Sequence, residues 1–309
     1  MTDTLRSVDY QEVLATFFTP SPPGTPEPPV VRHGSAARRL RDAIEPIAMH
    51  AVWCAATNHR LADEFGLDFL GGYVWGRASA LGEAAPGVVV AAFAVFEPTF
   101  LTAVYTDARS KAGWSELVAA RDEATTGSLR ELLGAVDPAA VTAVLGRGID
   151  AADGAGRPLF AGLAGRPLPD DPYGRLWRVC DILREHRGDS HTAAWLAAGL
   201  DAVEMNVLTE VWLGMPMFSY SATRVWPPDA LSAAADRLRS RGFLDGDALT
   251  PAGAQARDGI EAATDAAQQR VIAAIGNDLD DVVERLSSWS ATLVEQRAFP
   301  PSVHKRAAG

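Results

Sequence analysis

At 309 residues the chain has length for two ordinary domains, or one large one, with a well-buried core. Twenty-eight basic against 39 acidic residues give a net charge of −11, and only Lys111 and Lys305 are lysines. That balance argues against an extended phosphate-tracking surface while leaving room for a local patch.

Taken in chain order, the apolar segment Tyr10–Phe18 is read as a piece that docks on the body or trails as a tail. Thr19–Pro29 (TPSPPGTPEPP) is a linker or wrapping arm, because proline lacks the amide donor and restricts its predecessor. From Ala36 to Thr57, Leu40, Ile44, Ile47, Ala51 and Cys54 recur at three- and four-residue steps, which predicts one long helix. Further helices are expected over Leu67–Leu81, Pro86–Phe96, Pro98–Tyr105 and Ser115–Leu133, with another opened by Asp137-Pro138 and running through Gly146. Gly154–Pro172, rich in Gly, Pro and Asp, is the expected boundary between halves. Beyond it the pattern predicts helices at Tyr173–His186, Asp189–Ala198 and Asp201–Leu213, a loop over Met215–Trp226, and a helix at Pro228–Arg241. Gly242–Leu249 reads as two short strands about an Asp-Gly turn, and Thr250-Pro251 caps a helix to Ile275. A last helix runs over Asp278–Glu295.

The expected organisation is an arm and linker (1–34), an N-terminal helical domain (35–153), a linker (154–172), a C-terminal winged-helix-like domain (173–300) and a tail (301–309). The fold class is mainly α, with two winged-helix-like halves and a short hairpin in the second. Short echoes suggest a duplication: Gly66-Leu67-Asp68 recurs as Gly199-Leu200-Asp201, and Ala120-Arg121-Asp122 as Ala256-Arg257-Asp258. Cys54 and Cys180 each lie inside an apolar pattern and fit buried thiols better than a disulfide or zinc site. The first residues, Met-Thr-Asp-Thr-Leu-Arg, carry no cationic start before an apolar run, and no stretch approaches the roughly 18 to 20 apolar residues of a membrane span. A cytoplasmic protein without membrane contact is expected.

A helix ending in Leu238-Arg-Ser-Arg-Gly242, a tight hairpin, and Leu249-Thr-Pro-Ala-Gly253 opening a long helix form a specific arrangement. Over Asp229–Asp265 it resembles the MarR-type winged helix, in which a recognition helix leads into a wing and then a dimerisation helix. Through Gly66, Asp68, Tyr73, Gly76 and Arg77, and through the run Leu183–His191, the whole chain also is similar to an actinobacterial family with a helix-turn-helix label. The resemblance implies the fold and leaves the activity open. Reading of DNA needs donors aimed at base edges and a basic wing. Here Arg237, Arg239 and Arg241 lie beside Asp229 and Asp236, and the wing carries Asp245 and Asp247, so the sequence argues against DNA binding.

The densest potential chemistry is Arg184-Glu-His-Arg187-Gly-Asp189-Ser-His191. If Gly188 ends one helix and Asp189 caps the next, His191 sits near a helix N-terminus, where a neutral imidazole suits a general base. In this reading His191 moves a proton, Asp189 orients its ring, and Arg187 with Arg77 holds an anion. The equally plain roles are a cap for Asp189 and a satisfied boundary position for His191. His50 and Tyr73 complete the opposite wall, and Glu204 and Trp195 are further ligand-binding candidates, although Asp201 and Glu204 also fit a capping box. The expected function is a small-molecule enzyme of specialised metabolism using acid-base chemistry, without a nucleotide cofactor, since no dinucleotide or Walker motif is present. The alternatives are a ligand-responsive MarR-like regulator or drug-binding protein, and a haem or metal protein using His50 or His191. The expected partners are a small-molecule ligand and a second copy of the chain.

Overall fold

The computed structural model describes residues 9–21, 24–25, 27–32 and 34–308; residues 1–8, 22–23, 26 and 33 of the expected arm, and 309 of the expected tail, lie outside these. Helix α1 (Tyr10–Phe17) docks on the body. Its Tyr10 hydroxyl donates to the Trp53 carbonyl at 2.7 Å, and the Phe17 and Trp53 rings lie 5.2 Å apart. After the proline-rich stretch and the single turn α2 (Pro29–Arg32), the expected long helix is three: α3 (Ala36–Ala48), α4 (His50–Trp53) and α5 (Ala55–Phe65). Cys54 is extended (φ −77°, ψ 139°), and the Asn58 amide donates to the carbonyls of Val52 and Cys54 at 2.7 and 3.0 Å. Asn58 thereby gives the Val52 carbonyl a donor at the break and the Cys54 carbonyl a second one besides the Asn58 backbone N–H at 3.3 Å.

Four helices, α6 (Phe69–Ala78), α7 (Pro86–Phe93), α8 (Pro98–Lys111) and α9 (Trp114–Leu133), close on a cluster that includes Trp75, Phe93, Tyr105 and Leu117. Helix α7 stops before the expected Phe96 because Ala94 turns to a positive φ of 58°. Next come α10 (Ala139–Ala151) and, inside the expected linker, α11 (Pro158–Ala164).

Helix α12 (Pro172–Ala197) runs unbroken through Gly188, where the sequence suggested a stop. A helical glycine costs about 1 kcal/mol relative to alanine. The continuous helix lets Glu185, Arg187 and Asp189 reach partners on three other elements, and those contacts outweigh the local preference. Helices α3, α9, α10 and α11 pack along α12.

The winged-helix unit follows as α13 (Ala202–Trp212), α14 (Pro228–Ser240), strands β1 (Leu244–Asp245) and β2 (Ala248–Leu249), and α15 (Pro251–Ala266). The strands pair antiparallel, Leu244 opposite Leu249. Thr250 caps α15 by accepting from the Gly253 amide at 3.0 Å. At Gly253 a Cβ would lie 2.2 Å from the Phe243 carbonyl oxygen, so only glycine lets α15 start this close to the wing. Helices α16 (Gln269–Ile275), α17 (Leu279–Glu295) and α18 (Val303–Ala308) complete the chain. The hydrophobic seam joining α3, α12 and α17 holds Ile44, Ile47, Trp177, Leu183 and Leu286.

The echoed triplets occupy matching places. Gly66 and Gly199 both turn left-handed (φ 65° and 70°), Leu67 and Leu200 are buried, and Asp68 and Asp201 accept backbone N–H groups at the start of α6 and α13. In the first half α8 passes to α9 through Ala112-Gly113, with no hairpin between. The fold is therefore mainly α with one short hairpin among the described residues. Cys54 and Cys180 are buried free thiols. No helix of the described residues is long and apolar enough to cross a membrane.

Candidate functional site

Polar residues at helical spacing turn toward one another from several helices. On α3, Arg38, Arg41 and Glu45 lie on the face opposite Leu40, Ile44 and Ile47, and all three polar residues are buried. On α12, Arg184, Arg187, His191 and Trp195 share one stripe, and on α15 Arg257 and Glu261 are one turn apart. With Tyr73 and Arg77 of α6, and Met205, Asn206 and Thr209 of α13, they enclose a cavity of about 130 Å³.

Seven arginines line this space against the two carboxylates of Glu45 and Glu261. Glu261 is shared by Arg257 at 3.0 Å, Arg38 at 3.2 Å and Arg187. Burial would raise its pKa, but Arg187, Arg257 and Arg38 together hold it well below the usual carboxylate range. Glu45 lies between Arg184 at 3.1 Å and Arg41 at 3.4 Å. Behind them Glu185 receives both Arg77 nitrogens at 2.9 and 2.8 Å and Arg184 at 2.9 Å. Burial works against that carboxylate too, yet Arg77 and Arg184 draw it down to about 2.

Arg224 differs from the other six. It lies over the Phe96 and Tyr220 rings at 5.1 and 4.4 Å and donates to the Tyr220 and Thr223 hydroxyls. No ion pair among the described residues includes it. Its loop is fixed by the buried carboxylate of Glu210, which accepts from the Tyr220 and Ser221 amides at 2.8 Å each and from the Ser221 hydroxyl at 3.0 Å. The loop closes with Val225 at a φ of 64°, a strained setting for a β-branched residue.

His191 Nδ1 is 3.0 Å from the Thr264 hydroxyl, which donates its own proton to the Ile260 carbonyl at 2.8 Å. Nδ1 therefore carries the ring proton and Nε2 is the bare acceptor. Burial, then Arg257 and Arg187, push the imidazole pKa well below its ordinary value, so the ring is neutral at pH 7.

Of the residues singled out in the sequence, Tyr73, Arg77, Arg187, His191 and Trp195 line the cavity. Asp189, His50 and Glu204 lie elsewhere. Asp189 does not orient His191: two positions apart on one helix they point different ways, and the Asp189 carboxylate accepts from the Phe160 amide at 3.0 Å. His50 is buried between α4 and α9 with Nε2 2.9 Å from the Ser128 hydroxyl. Glu204 completes a capping box with Asp201 and also pairs with Arg237 at 3.0 Å. Among the described residues no three of His, Cys, Asp and Glu converge as metal ligands. Sequence reasoning missed Arg38, Arg41, Glu45, Arg224, Arg257 and Glu261; the charged residues of α3 and α15 carry a helical period that could have shown them, whereas Arg224 sits in an unpatterned loop.

The displaced Asp189 has a measurable consequence. Burial lifts its pKa from 3.8 to about 7, only partly offset by the Phe160 amide. A raised folded pKa contributes stability that is complete below the unfolded value and is lost as pH rises through the folded one. Asp189→Asn, which keeps an acceptor for Phe160, is therefore expected to be more stable than the parent at about pH 8, by on the order of 4 kcal/mol, with the gain vanishing near pH 4. Urea unfolding of both proteins across that range checks this; a difference that does not change with pH refutes it.

Helix α14 and the hairpin present three arginines. Arg237 pairs with Asp201 at 2.5 Å and Glu204 at 3.0 Å. Arg239 pairs with Asp236 at 2.8 Å and wing residue Asp247 at 3.1 Å, and Arg241 donates to the Gly199 carbonyl at 2.9 Å. Helices α13 and α14, the two-stranded wing and α15 in this order define a winged-helix protein. The chain belongs to a helix-turn-helix family, whose model matches residues 37–300. No curated protein and no solved structure matches it.

Membership in that family corrects the expectation drawn against DNA binding, because the helix-turn-helix is an element that enters the major groove. The physical error lay in treating Asp247 of the wing as a bare charge. Asp247 is already neutralised by Arg239. The acids engaged by Arg239 are 74% and 77% exposed, and such surface pairs are worth about 0–1 kcal/mol, so a phosphate can displace them.

Proposed function

We propose that the protein is a ligand-responsive, winged-helix transcriptional regulator of MarR-like type. The observation that carries this reading is shared framework. Thr209 on α13 and Arg257 and Glu261 on α15 line the cavity, and these two helices flank α14 and the wing. Arg257 Nε donates to the Thr209 hydroxyl at 3.2 Å and its guanidinium lies 4.2 Å from the Trp212 ring. A ligand that moves Arg257 thus acts on both helices, and through the tight Gly253 contact on the base of the wing. A ligand that favours one arrangement shifts DNA affinity by its differential affinity for the two.

Of the acid-base arrangement expected from the sequence, neutral His191 lines the cavity with Arg187, Arg77 and Tyr73, but its supposed orienting partner Asp189 faces α11 and His50 faces α9. The regulator reading requires no catalytic constellation. A homodimer, through which two recognition helices would reach half-sites about one helical turn apart, fits it and predicts a palindromic target. Selection of duplexes from a random pool at moderate salt tests the proposal. Enrichment of a defined, two-fold symmetric sequence is the expected result. Recovery of no sequence above background would sink it.

A further inference from the structure

The arginine-lined chamber opens on a second space of different character. A chamber of about 380 Å³ lies between α1, the start of α6 and the C-terminal segment, with Phe17, Met49, Val52, Trp53, Phe69 and Leu70 in its wall. The two share Glu45, Tyr73, Phe96, Arg184, Tyr220 and Arg224, so they meet along that seam. One end of the combined cavity is cationic and the other is mainly apolar.

The polar end is short of acceptors. The carboxylates of Glu45 and Glu261 are each engaged by at least two arginines, and Arg224, at the seam, is in no ion pair among the described residues. Three buried donors, Arg187 Nε, Trp195 Nε1 and Arg224 Nε, belong to residues of this wall and have no acceptor. Trp195 is 3% and Arg187 6% exposed, so solvent does not supply what is missing. Neutral His191 adds no competing charge.

We infer that the cavity binds an anionic amphiphile, with its carboxylate or phosphate head among Arg224, Arg184 and Arg187 and a single alkyl chain along the Trp53 and Phe69 wall. A methylene is about the size of a water molecule, whose share of liquid is roughly 30 Å³, so the outer chamber takes a chain on the order of ten carbons. The head supplies acceptors to the three donors that have none, and the tail removes apolar wall from water.

The inference rests on the cavity being the effector site of the proposed regulator, but its test involves no DNA. Calorimetric titration of the full chain uses decanoate, decyl phosphate, decanol and decyltrimethylammonium, each below its micellar concentration. Saturable binding of one molecule of decanoate or decyl phosphate per chain is expected, with decanol and the ammonium at least tenfold weaker. Whichever anion binds tighter identifies the head as carboxylate or phosphate ester. Arg224→Met should weaken the anions at least tenfold, while Arg224→Lys retains most of the affinity; unfolding midpoints recorded alongside show that both variants fold. Leu70→Trp, which fills the outer chamber, should abolish the preference of the site for decanoate over propionate. Equal binding of decanol and decanoate, or no saturable binding of either anion, overturns the inference. A selected duplex without amphiphile binding removes the ligand and leaves the regulator; amphiphile binding without any selected duplex does the reverse.

Discussion

Replacing Glu261 by alanine is expected to cost about 3–5 kcal/mol of folding stability, the range for removing one member of a buried, hydrogen-bonded charge cluster. Arg38 and Arg187 have second carboxylates, Asp42 and Asp265, but Arg257 has no other carboxylate partner among the ion pairs of the described residues. It is 2% exposed, so the substitution leaves a cation in the interior with neither water nor counter-ion. The check is urea unfolding: the midpoint should fall while the slope stays constant. A loss below about 1 kcal/mol would mean that solvent reaches Arg257 and that the cluster is not sealed. Glu261→Gln should be milder, since it keeps an acceptor, and should also tighten anion binding in the cavity by raising its positive excess.

Acid stability follows from the same cluster with a definite sign. The folded pKa of Glu185 is depressed from 4.5 to about 2, so its contribution is present above the unfolded value and is lost as pH falls toward 2. Asp189 works oppositely, its contribution being lost as pH rises through about 7. Arg77 pairs with Glu185, and Glu185 raises the pKa of Asp189, so the two carboxylates compete for the same guanidinium. One stays ionised because Arg77 and Arg184 both reach it. The other has only backbone donors and takes up its proton near neutrality.

How much of this was legible in the sequence depended on whether local rules decided the outcome. The wing and its flanking helices were readable from Arg241 to Gly253 because Asp-Gly and Thr-Pro set turn and cap by backbone chemistry alone. The site was half readable. On a continuous helix the spacing of Arg184, Arg187 and His191 puts them on one face, but Gly188 points to a break, which sets Asp189 beside His191 when it belongs nearly opposite. Tertiary ion pairs, which no local propensity encodes, keep α12 straight. On α3 the local pattern marks only the apolar stripe for burial, since charged residues on an amphipathic helix ordinarily meet water. Arg38, Arg41 and Glu45 escape that rule because α12 and α15 present complementary charges to them.

Substituting Arg237 and Arg239 together by alanine should lower affinity for the selected duplex by about 1–3 kcal/mol per base-contacting arginine, on the order of a hundredfold for the pair. The recognition helix offers few other donors: its exposed residues include Asp229, Ser232, Ala233, Asp236 and Ser240, and the arginines stand near its C-terminal end. Loss of Arg239 should hardly change folding, because its acids are exposed and such pairs are worth about 0–1 kcal/mol. Arg237 also pairs with the buried Glu204, so its loss should cost more, and unfolding midpoints separate that cost from the loss of DNA affinity. If the arginines contact phosphates instead, the loss is similar for all sequences and the salt slope falls by about one for each. The acids give the converse test. Asp236 and Asp247 compete with DNA for Arg239, so Asp236→Asn with Asp247→Asn should free that guanidinium and tighten binding, most visibly at low salt. Anisotropy titrations at two salt concentrations measure both effects. Weaker binding in the acid-to-amide variant would mean that Arg239 serves to brace the wing and that the DNA-facing charge lies elsewhere on the unit.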